Sequence, residues 1–165
     1  MIVVGIDPSK ARPGWGVVER VAGGRESVLA YGALNEPTSA MIAEIATRWA
    51  PVADVVIIED QFLARGPRMD PNAMKLVCRA AGRWEQAFGE RGGGAMYVAP
   101  QTWQTLLLLG LCAGNAPRDQ RKKAAKKLIE RTFGLVIKTD EADALCLALW
   151  GLRTQRMPPR RAPLG

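Results

Sequence analysis

The sequence contains no histidine and only three cysteines, and none of its apolar runs is long enough to cross a membrane. The missing histidine excludes Ser-His and Cys-His nucleophilic triads and any His-ligated metal site. Cys78, Cys112 and Cys146 are odd in number and far apart, which fits a reducing compartment better than a disulfide or zinc framework. If the protein is an enzyme, carboxylates, lysines or hydroxyls carry its chemistry, and any metal is a hard cation held by oxygen atoms.

The amino terminus also lacks the features of a signal peptide, because no basic residue precedes the first apolar run and Asp7 interrupts it. A chain of 165 residues fits one domain that can bury a core without disulfide staples. We therefore expect a cytoplasmic protein with no membrane segment. It should have a single domain over residues 1–153 and a basic, disordered tail over residues 154–165, where Pro158 and Pro159 end the helical pattern.

Positive charge is in excess, with 23 Lys plus Arg against 16 Asp plus Glu and a net charge of +7. Residues 1–117 are balanced, with eleven basic and eleven acidic side chains. The excess lies in residues 118–131, which carry +5, and in the tail from residue 152, which carries +4, with −2 between them. A localised basic surface predicts a polyanionic partner, most often nucleic acid, although either run alone could be a solvated helix face.

The hydrophobic pattern predicts an α/β fold. Continuous β-branched runs at residues 2–6 and 55–58 are typical of buried strands. A glycine pair at residues 23–24 predicts a hairpin turn between two further strands. The full set of predicted elements is strands over residues 2–6, 15–21, 28–34, 55–58 and 95–98, and helices over residues 39–49, 70–88, 102–109, 117–133 and 140–153. This order predicts a mixed five-stranded sheet, an antiparallel meander plus parallel strands, with helices on both faces.

Carboxylates occur where this fold would bring side chains together. Asp7 and Glu59 each end a buried strand, and neighbouring strands lie ~4.8 Å apart. Side chains alternate along a strand, so only one of Glu59 and Asp60 can join Asp7. Asp140 and Asp143 are three residues apart and share a face of the last helix, for which Thr139 is the expected cap.

Four such carboxylates repel one another unless a cation neutralises them, so their joint occurrence predicts a metal site. Two Mg²⁺ ions about 3.5–4 Å apart would neutralise the site and clamp a scissile phosphate. Taken singly, each acid can instead be a turn former, a solvated strand end or a partner of the helix dipole.

Three segments resemble motifs of the RuvC-type Holliday junction resolvases, which belong to the RNase H-like superfamily. GIDP at residues 5–8 with GWGVV at residues 14–18 resembles the family's opening. VIIEDQF at residues 56–62 resembles its second acidic strand, and DEADAL at residues 140–145 its closing acidic helix. The resemblance covers roughly residues 1–153, in the family's order. The opening alone also occurs in sugar kinases and actin-like ATPases.

The resemblance implies an RNase H-like fold, a homodimer, and Mg²⁺-dependent resolution of four-way DNA junctions by paired nicks. Asp7, Glu59, Asp140 and Asp143 would be the catalytic metal ligands for two Mg²⁺ ions, which Mn²⁺ could replace. A metal-activated water would leave 5′-phosphate and 3′-hydroxyl ends. Ser9, where bacterial members commonly have Gly, and the dense basic helix look more like the phage and viral branch, whose proteins work in the host cytoplasm.

Two segments are predicted to contact DNA. In the helix over residues 117–133, lysines in i,i+4 pairs occupy one face and apolar residues the other, so the helix can dock while offering ammonium groups to phosphates. Phe62 follows the acidic strand on an arginine-rich loop, where its ring could wedge into a junction or pack in the core. The predicted contacts are Phe62, Arg65, Arg68, Arg121, Lys122, Lys123, Lys126 and Lys127.

Other functions stay open at this point. A broader RNase H-like nuclease would cut branched DNA in general or RNA–DNA hybrids. An actin-like or kinase-like nucleotide-binding protein should carry a second glycine-rich phosphate loop, for which residues 92–94 are a poor candidate because no helix start follows. A non-catalytic DNA-binding module would leave the acidic quartet without a purpose. The apolar stripe at residues 74, 77, 81, 84 and 88 could pack on a partner helix or on the protein's own sheet.

Overall fold

The structure, a computed structural model, describes residues 1–9, 12–60 and 71–155. β1 (Ile2–Asp7), β2 (Gly14–Arg20) and β3 (Glu26–Ala33) form an antiparallel meander. β4 (Val55–Glu59) lies parallel to β1, and β5 (Ala95–Val98) lies parallel to β4. The resulting sheet has the order β3-β2-β1-β4-β5, which confirms the predicted mixed five-stranded sheet.

Helices cover both faces of the sheet, as predicted. α1 (Ser39–Trp49) and α2 (Pro71–Gly89) lie on one face, where Val4 and Ile6 of β1 point. α3 (Pro100–Leu107), α4 (Arg118–Phe133) and α5 (Thr139–Thr154) lie on the other, with Val3 and Ile57. Because β1 and β4 are covered on both sides, their sequences read as continuous apolar runs.

The helix α5 lies very close to the sheet, and every residue from Ala142 to Leu149 is buried. A Cβ atom on Gly5 would overlap the backbone oxygen of Ala144, and one on Gly14 would overlap that of Asp140. Glycine at these strand positions therefore lets the helix backbone approach β1 and β2. The glycines of the GIDP and GWGVV segments thus have a packing role that sets the height of α5 above the strands.

Two helices begin earlier than predicted. α3 starts at Pro100 rather than at residue 102, since proline suits the first turn of a helix, where its missing N–H is not needed. α5 starts at Thr139, which was expected to be the cap, and Lys138 is the N-cap instead. The Glu141 carboxylate accepts a hydrogen bond of 2.9 Å from the backbone N–H of Lys138, so this acid stabilises the helix start.

The apolar stripe of α2 packs largely on the protein's own sheet. Ala81, Trp84 and Phe88 are buried in one cluster with Ile58, whereas Met74 and Val77 at the start of the helix are only half-buried. The stripe therefore needs no partner helix along its second half. Glycines 92–94 lead into β5 rather than into a helix, which disfavours a second phosphate loop.

Several predictions fall on residues 10–11, 61–70 and 156–165, which lie outside the described part of the chain. They include the predicted DNA contacts Phe62, Arg65 and Arg68 and most of the tail that is predicted to be disordered. In the part that is described, no helix combines the length and the hydropathy needed to span a membrane.

Candidate active site

Two buried carboxylates lie side by side at the ends of the central strands. Ile6 of β1 is paired in register with Ile58 of β4, so Asp7 and Glu59 follow as neighbours at the carboxyl ends of parallel strands. Asp7 is 6% exposed and Glu59 is 7% exposed. The sheet thus brings together two charged groups that apolar surroundings would otherwise disfavour.

Glu59, and not Asp60, is the acid that faces Asp7. Asp60 lies beyond the end of β4, where its backbone N–H donates to the Val98 oxygen at 2.8 Å. Its charge acts on Tyr97, whose pKa is raised first by burial, then by a hydrogen bond to Glu85, and also by Asp60. The alternation of side chains along β4 therefore decides the choice that the sequence left open.

The helix α5 contributes the two other acids. Asp143 is buried, at 9% exposure, and Asp140 lies one turn earlier at the rim of the site. Asp140 is partly exposed, and its Oδ2 lies 3.5 Å from the Nε of Arg12. This arginine, in the loop between β1 and β2, gives Asp140 a positive neighbour that the sequence pattern did not reveal.

The four carboxylates influence one another electrostatically. Burial raises the pKa of Asp7 well above its ordinary value, and the charges of Glu59, Asp143 and Asp140 raise it further. Burial raises the pKa of Asp143 to about 7, with the Glu59 charge as the next cause. Asp7 and Asp143 therefore bind protons more readily than ordinary aspartates, and a divalent cation would compete with those protons.

Basic side chains from α4 partly offset this repulsion. Lys122 lowers the pKa of both Asp7 and Asp143, and Arg118 lowers that of Asp143. These two residues, near the start of α4, therefore lie close enough to the buried acids to act on them electrostatically. They add positive charge at a place where a phosphate could approach.

The donor set fits a hard divalent cation, since buried, mutually repelling carboxylate oxygens are the ligands that Mg²⁺ prefers. As the side chains stand in the described residues, no group of three acids or thiols is arranged to enclose an ion. The fit therefore rests on ligand chemistry and electrostatics: a cation here would offset the burial and the mutual repulsion that raise the pKa of Asp7 and Asp143.

The five predicted basic residues of α4 do not behave as one surface. Lys122 is half-buried beside the carboxylates, and Arg121 donates from Nη1 to the Oε1 of Gln104 in α3 at 2.6 Å. The exposed side chains are those of Lys123, Lys126 and Lys127. On the opposite side of the helix Ala124, Ala125 and Ile129 are buried, so the amphipathic pattern of α4 is as expected.

One further contact to the site was not expected from the sequence. The indole Nε1 of Trp103 donates a buried hydrogen bond of 2.9 Å to the Oε1 of Glu59. Trp103 comes from α3, which begins two residues after β5 and so lies over the end of neighbouring β4. The only signal in the sequence was Pro100, which marks a helix start directly after a strand.

No protein-family profile matches the sequence, but individual proteins do. The chain is 32% identical over 158 residues to the crossover junction endodeoxyribonuclease RuvC of Hyphomonas neptunium, covering 89% of this chain and 87% of that protein. It is 48% identical over 157 residues to the RuvC of Maricaulis maris, with the same coverage.

The fold is similar to that of Thermus thermophilus RuvC in complex with a Holliday junction substrate, with a TM-score of 0.71 at 21% identity. That similarity covers 93% of this chain and 96% of the other. It supports the RNase H-like architecture that the sequence predicted. Together with the sequence relatives, it shows that the chain belongs to the RuvC family of crossover junction endodeoxyribonucleases.

Proposed function

We propose that this protein is a structure-selective endodeoxyribonuclease that resolves four-way DNA junctions by paired nicks in opposed strands. The observation that carries the proposal is that three buried acids near the strand ends, Asp7, Glu59 and Asp143, influence one another electrostatically. Relatives of this chain are named crossover junction endodeoxyribonucleases, and a structural neighbour is bound to a Holliday junction.

We further propose that Asp7, Glu59, Asp140 and Asp143 hold two Mg²⁺ ions, which Mn²⁺ can replace. When bound, the metal would supply an activated water and stabilise charge on the phosphate. The chain's own residues would hold and orient the metal ions. Asp7 and Glu59 are fixed by paired strands, and Asp143 is fixed by the packing of α5. No protein nucleophile is needed, because the activated water would attack the phosphodiester. As the resemblance to the family implies, hydrolysis should leave 5′-phosphate and 3′-hydroxyl ends.

Positive charge near the carboxylates would guide the substrate. Lys122 and Arg118 act on the buried acids and would attract the scissile phosphate. The exposed Lys123, Lys126 and Lys127 would bind phosphates farther along the DNA, which makes binding salt-dependent. Phe62, Arg65 and Arg68 stay predicted DNA contacts.

Paired nicks in two strands require two active sites, which favours a two-fold symmetric homodimer. The half-buried apolar residues at the start of α2, Met74 and Val77, leave surface for such a contact. The phage or viral branch, the cytoplasmic location and the disordered tail stay predictions.

The proposal is tested by incubating the protein with a four-way junction, a replication fork, linear duplex and an RNA–DNA hybrid, with and without Mg²⁺. Paired symmetric nicks on the junction alone are expected, and Asp143→Asn should abolish them while keeping junction binding. Equal cutting of linear duplex or hybrid would favour the broader nuclease. Binding without any cutting would favour a non-catalytic DNA-binding module.

A further inference from the structure

The hydrogen bond between Trp103 and Glu59 connects the hydrophobic core to the candidate active site. Trp103 is 1% exposed and belongs to the same buried cluster as Val98, Leu107 and Leu149. Its ring is therefore buried in a cluster to which β5, its own helix and α5 all contribute. The indole N–H is the polar end of a rigid side chain, and it points at a strand-end carboxylate.

Both groups need this bond. A buried indole N–H left without an acceptor costs about 1–3 kcal/mol, so Trp103 is held to the orientation that reaches Glu59. Glu59 has one more side-chain torsion than the three aspartates around it, and it loses more rotamer freedom when it is fixed. A hydrogen bond from outside the site therefore does more to fix the direction of Glu59 than it would for an aspartate.

The chemistry of the donor matters as well. An indole N–H is neutral and only donates, so it can orient a carboxylate without cancelling its charge. An ammonium or guanidinium at the same place would compete with a metal cation for Glu59. Asp140 has a cationic neighbour instead, since the Nε of Arg12 lies 3.5 Å from its Oδ2. Asp7 and Asp143 are likewise under the influence of a cation, Lys122. Trp103 is thus a neutral hydrogen-bond partner of Glu59, whereas Arg12 and Lys122 bring positive charge to the other acids.

We propose that Trp103 is a positioning residue that orients the Glu59 carboxylate for metal binding, an inference that rests on the proposed metal-dependent function. It acts through Glu59 and does not touch the DNA. Hydrogen-bond partners of metal ligands typically contribute 10–100-fold to metal affinity, so removing the indole N–H should weaken Mg²⁺ binding about tenfold or more.

Trp103→Phe removes the donor and keeps an aromatic ring. Trp49→Phe is the matched control: Trp49 is also buried, but it lies on the opposite face of the sheet. Its indole N–H has no hydrogen-bond partner among the described residues. If Trp103→Phe folds poorly, β-(3-benzothienyl)alanine at position 103 keeps the bicyclic shape and replaces the N–H with sulfur.

The first readout needs neither DNA nor activity. The sequence contains five tryptophans, so the wild type should show five indole N–H signals in an ¹H–¹⁵N NMR spectrum. The signal that is missing from the spectrum of Trp103→Phe is that of Trp103. We expect that signal to shift in Glu59→Gln and on titration with Mg²⁺, while the Trp49 signal stays in place. An unchanged Trp103 signal in Glu59→Gln would contradict the hydrogen bond between Trp103 and Glu59.

The second readout is Mg²⁺ affinity measured by calorimetry on the full chain. We expect Trp103→Phe to bind Mg²⁺ about tenfold or more weakly and Trp49→Phe to bind it like the wild type. Equal affinity in wild type and Trp103→Phe would overturn the role of Trp103 and leave the proposed function intact. A wild type that binds no Mg²⁺ would contradict the proposed function itself, and with it this role.

Discussion

The backbone oxygen of Asp140 lies over Gly14, in the space that a Cβ atom would fill. This contact joins the start of β2 to the start of α5, the helix that carries two of the four carboxylates. The position of Asp140 and Asp143 above the strand ends thus depends on a residue without a side chain. Gly14 is therefore needed both for the packing of α5 and for the position of two candidate active-site acids.

Gly14→Ala should therefore displace the start of α5 and damage cleavage as well as stability. Forcing one methyl group into this contact should cost about 1–3 kcal/mol of unfolding free energy, measured by urea denaturation. The matched control is Gly82→Ala in α2, where a new Cβ meets nothing within 4 Å. That variant should be as stable as the wild type or about 0.5–1 kcal/mol more stable. Equal stability of the two variants would contradict the packing role of Gly14.

Asp143→Asn should stabilise the metal-free protein while it abolishes cleavage. The pKa of Asp143 is raised to about 7 in the folded state, from an ordinary value of 3.8. The folded state therefore favours the protonated carboxyl, and the associated stability is lost as the pH rises through about 7. At pH 8 with a chelator, Asn should raise the unfolding free energy by about 1–3 kcal/mol.

That gain should shrink as the pH falls from 8 towards 4, because the wild-type carboxyl then takes up its proton. Thermal melts in chelator at several pH values measure this. The control is Glu44→Gln, an exposed acid on α1, which should change stability by less than about 0.5 kcal/mol. A lower melting temperature for Asp143→Asn at pH 8 would contradict the raised pKa of the buried Asp143 carboxyl.

Glu26→Gln should show the opposite pH dependence. Burial by itself would raise the pKa of Glu26, but hydrogen bonds from Arg153 and Arg20, at 2.8 and 2.7 Å, lower it overall. The stability from this pair of contacts is present above the ordinary value of 4.5 and is lost as the pH falls through the lowered folded pKa.

The Glu26→Gln variant should thus lose about 1 kcal/mol at pH 7, and the difference should vanish in acid. Urea denaturation at pH 7 and well below pH 4.5 checks this. A loss of the same size at both pH values would show that the shape of the side chain matters rather than its charge.

Lys122→Ala and Lys127→Ala should affect different steps of the reaction, although both residues lie on α4. Lys122 acts electrostatically on Asp7 and Asp143, so its loss should lower kcat by about 10–100-fold with little change in junction binding. Lys127 is exposed, so its loss should weaken binding and reduce the salt dependence by about one phosphate contact, with kcat unchanged. Single-turnover cleavage measures the effect on kcat, and binding titrations measure the effect on junction affinity. Identical behaviour of both variants would contradict the separate roles of Lys122 and Lys127.

The strand ends and the last helix could be predicted because they carry local patterns. Buried strands appear as apolar runs, so Asp7 and Glu59 at their ends have a foreseeable position, and a spacing of three residues puts Asp140 and Asp143 on one helix face. Such periodic signals are contained in short windows of sequence.

The partners of these acids could not be predicted in the same way. The Trp103 indole reaches Glu59 across 44 positions of sequence, and the Arg12 contact with Asp140 joins a loop to a distant helix. Neither pair has a periodic signature, because only the packing of α3 and α5 on the sheet brings the partners together. The capping role of Glu141 likewise depends on the geometry at Lys138.

The central claim is tested most directly by mapping the nicks on a four-way junction whose strands are labelled in turn. In Mg²⁺ we predict symmetric nicks in two opposed strands that DNA ligase can reseal, as 5′-phosphate and 3′-hydroxyl ends require. In chelator we predict binding without nicks. Nicks that ligase cannot reseal, nicks in chelator, or cutting of linear duplex at the same rate would contradict the account.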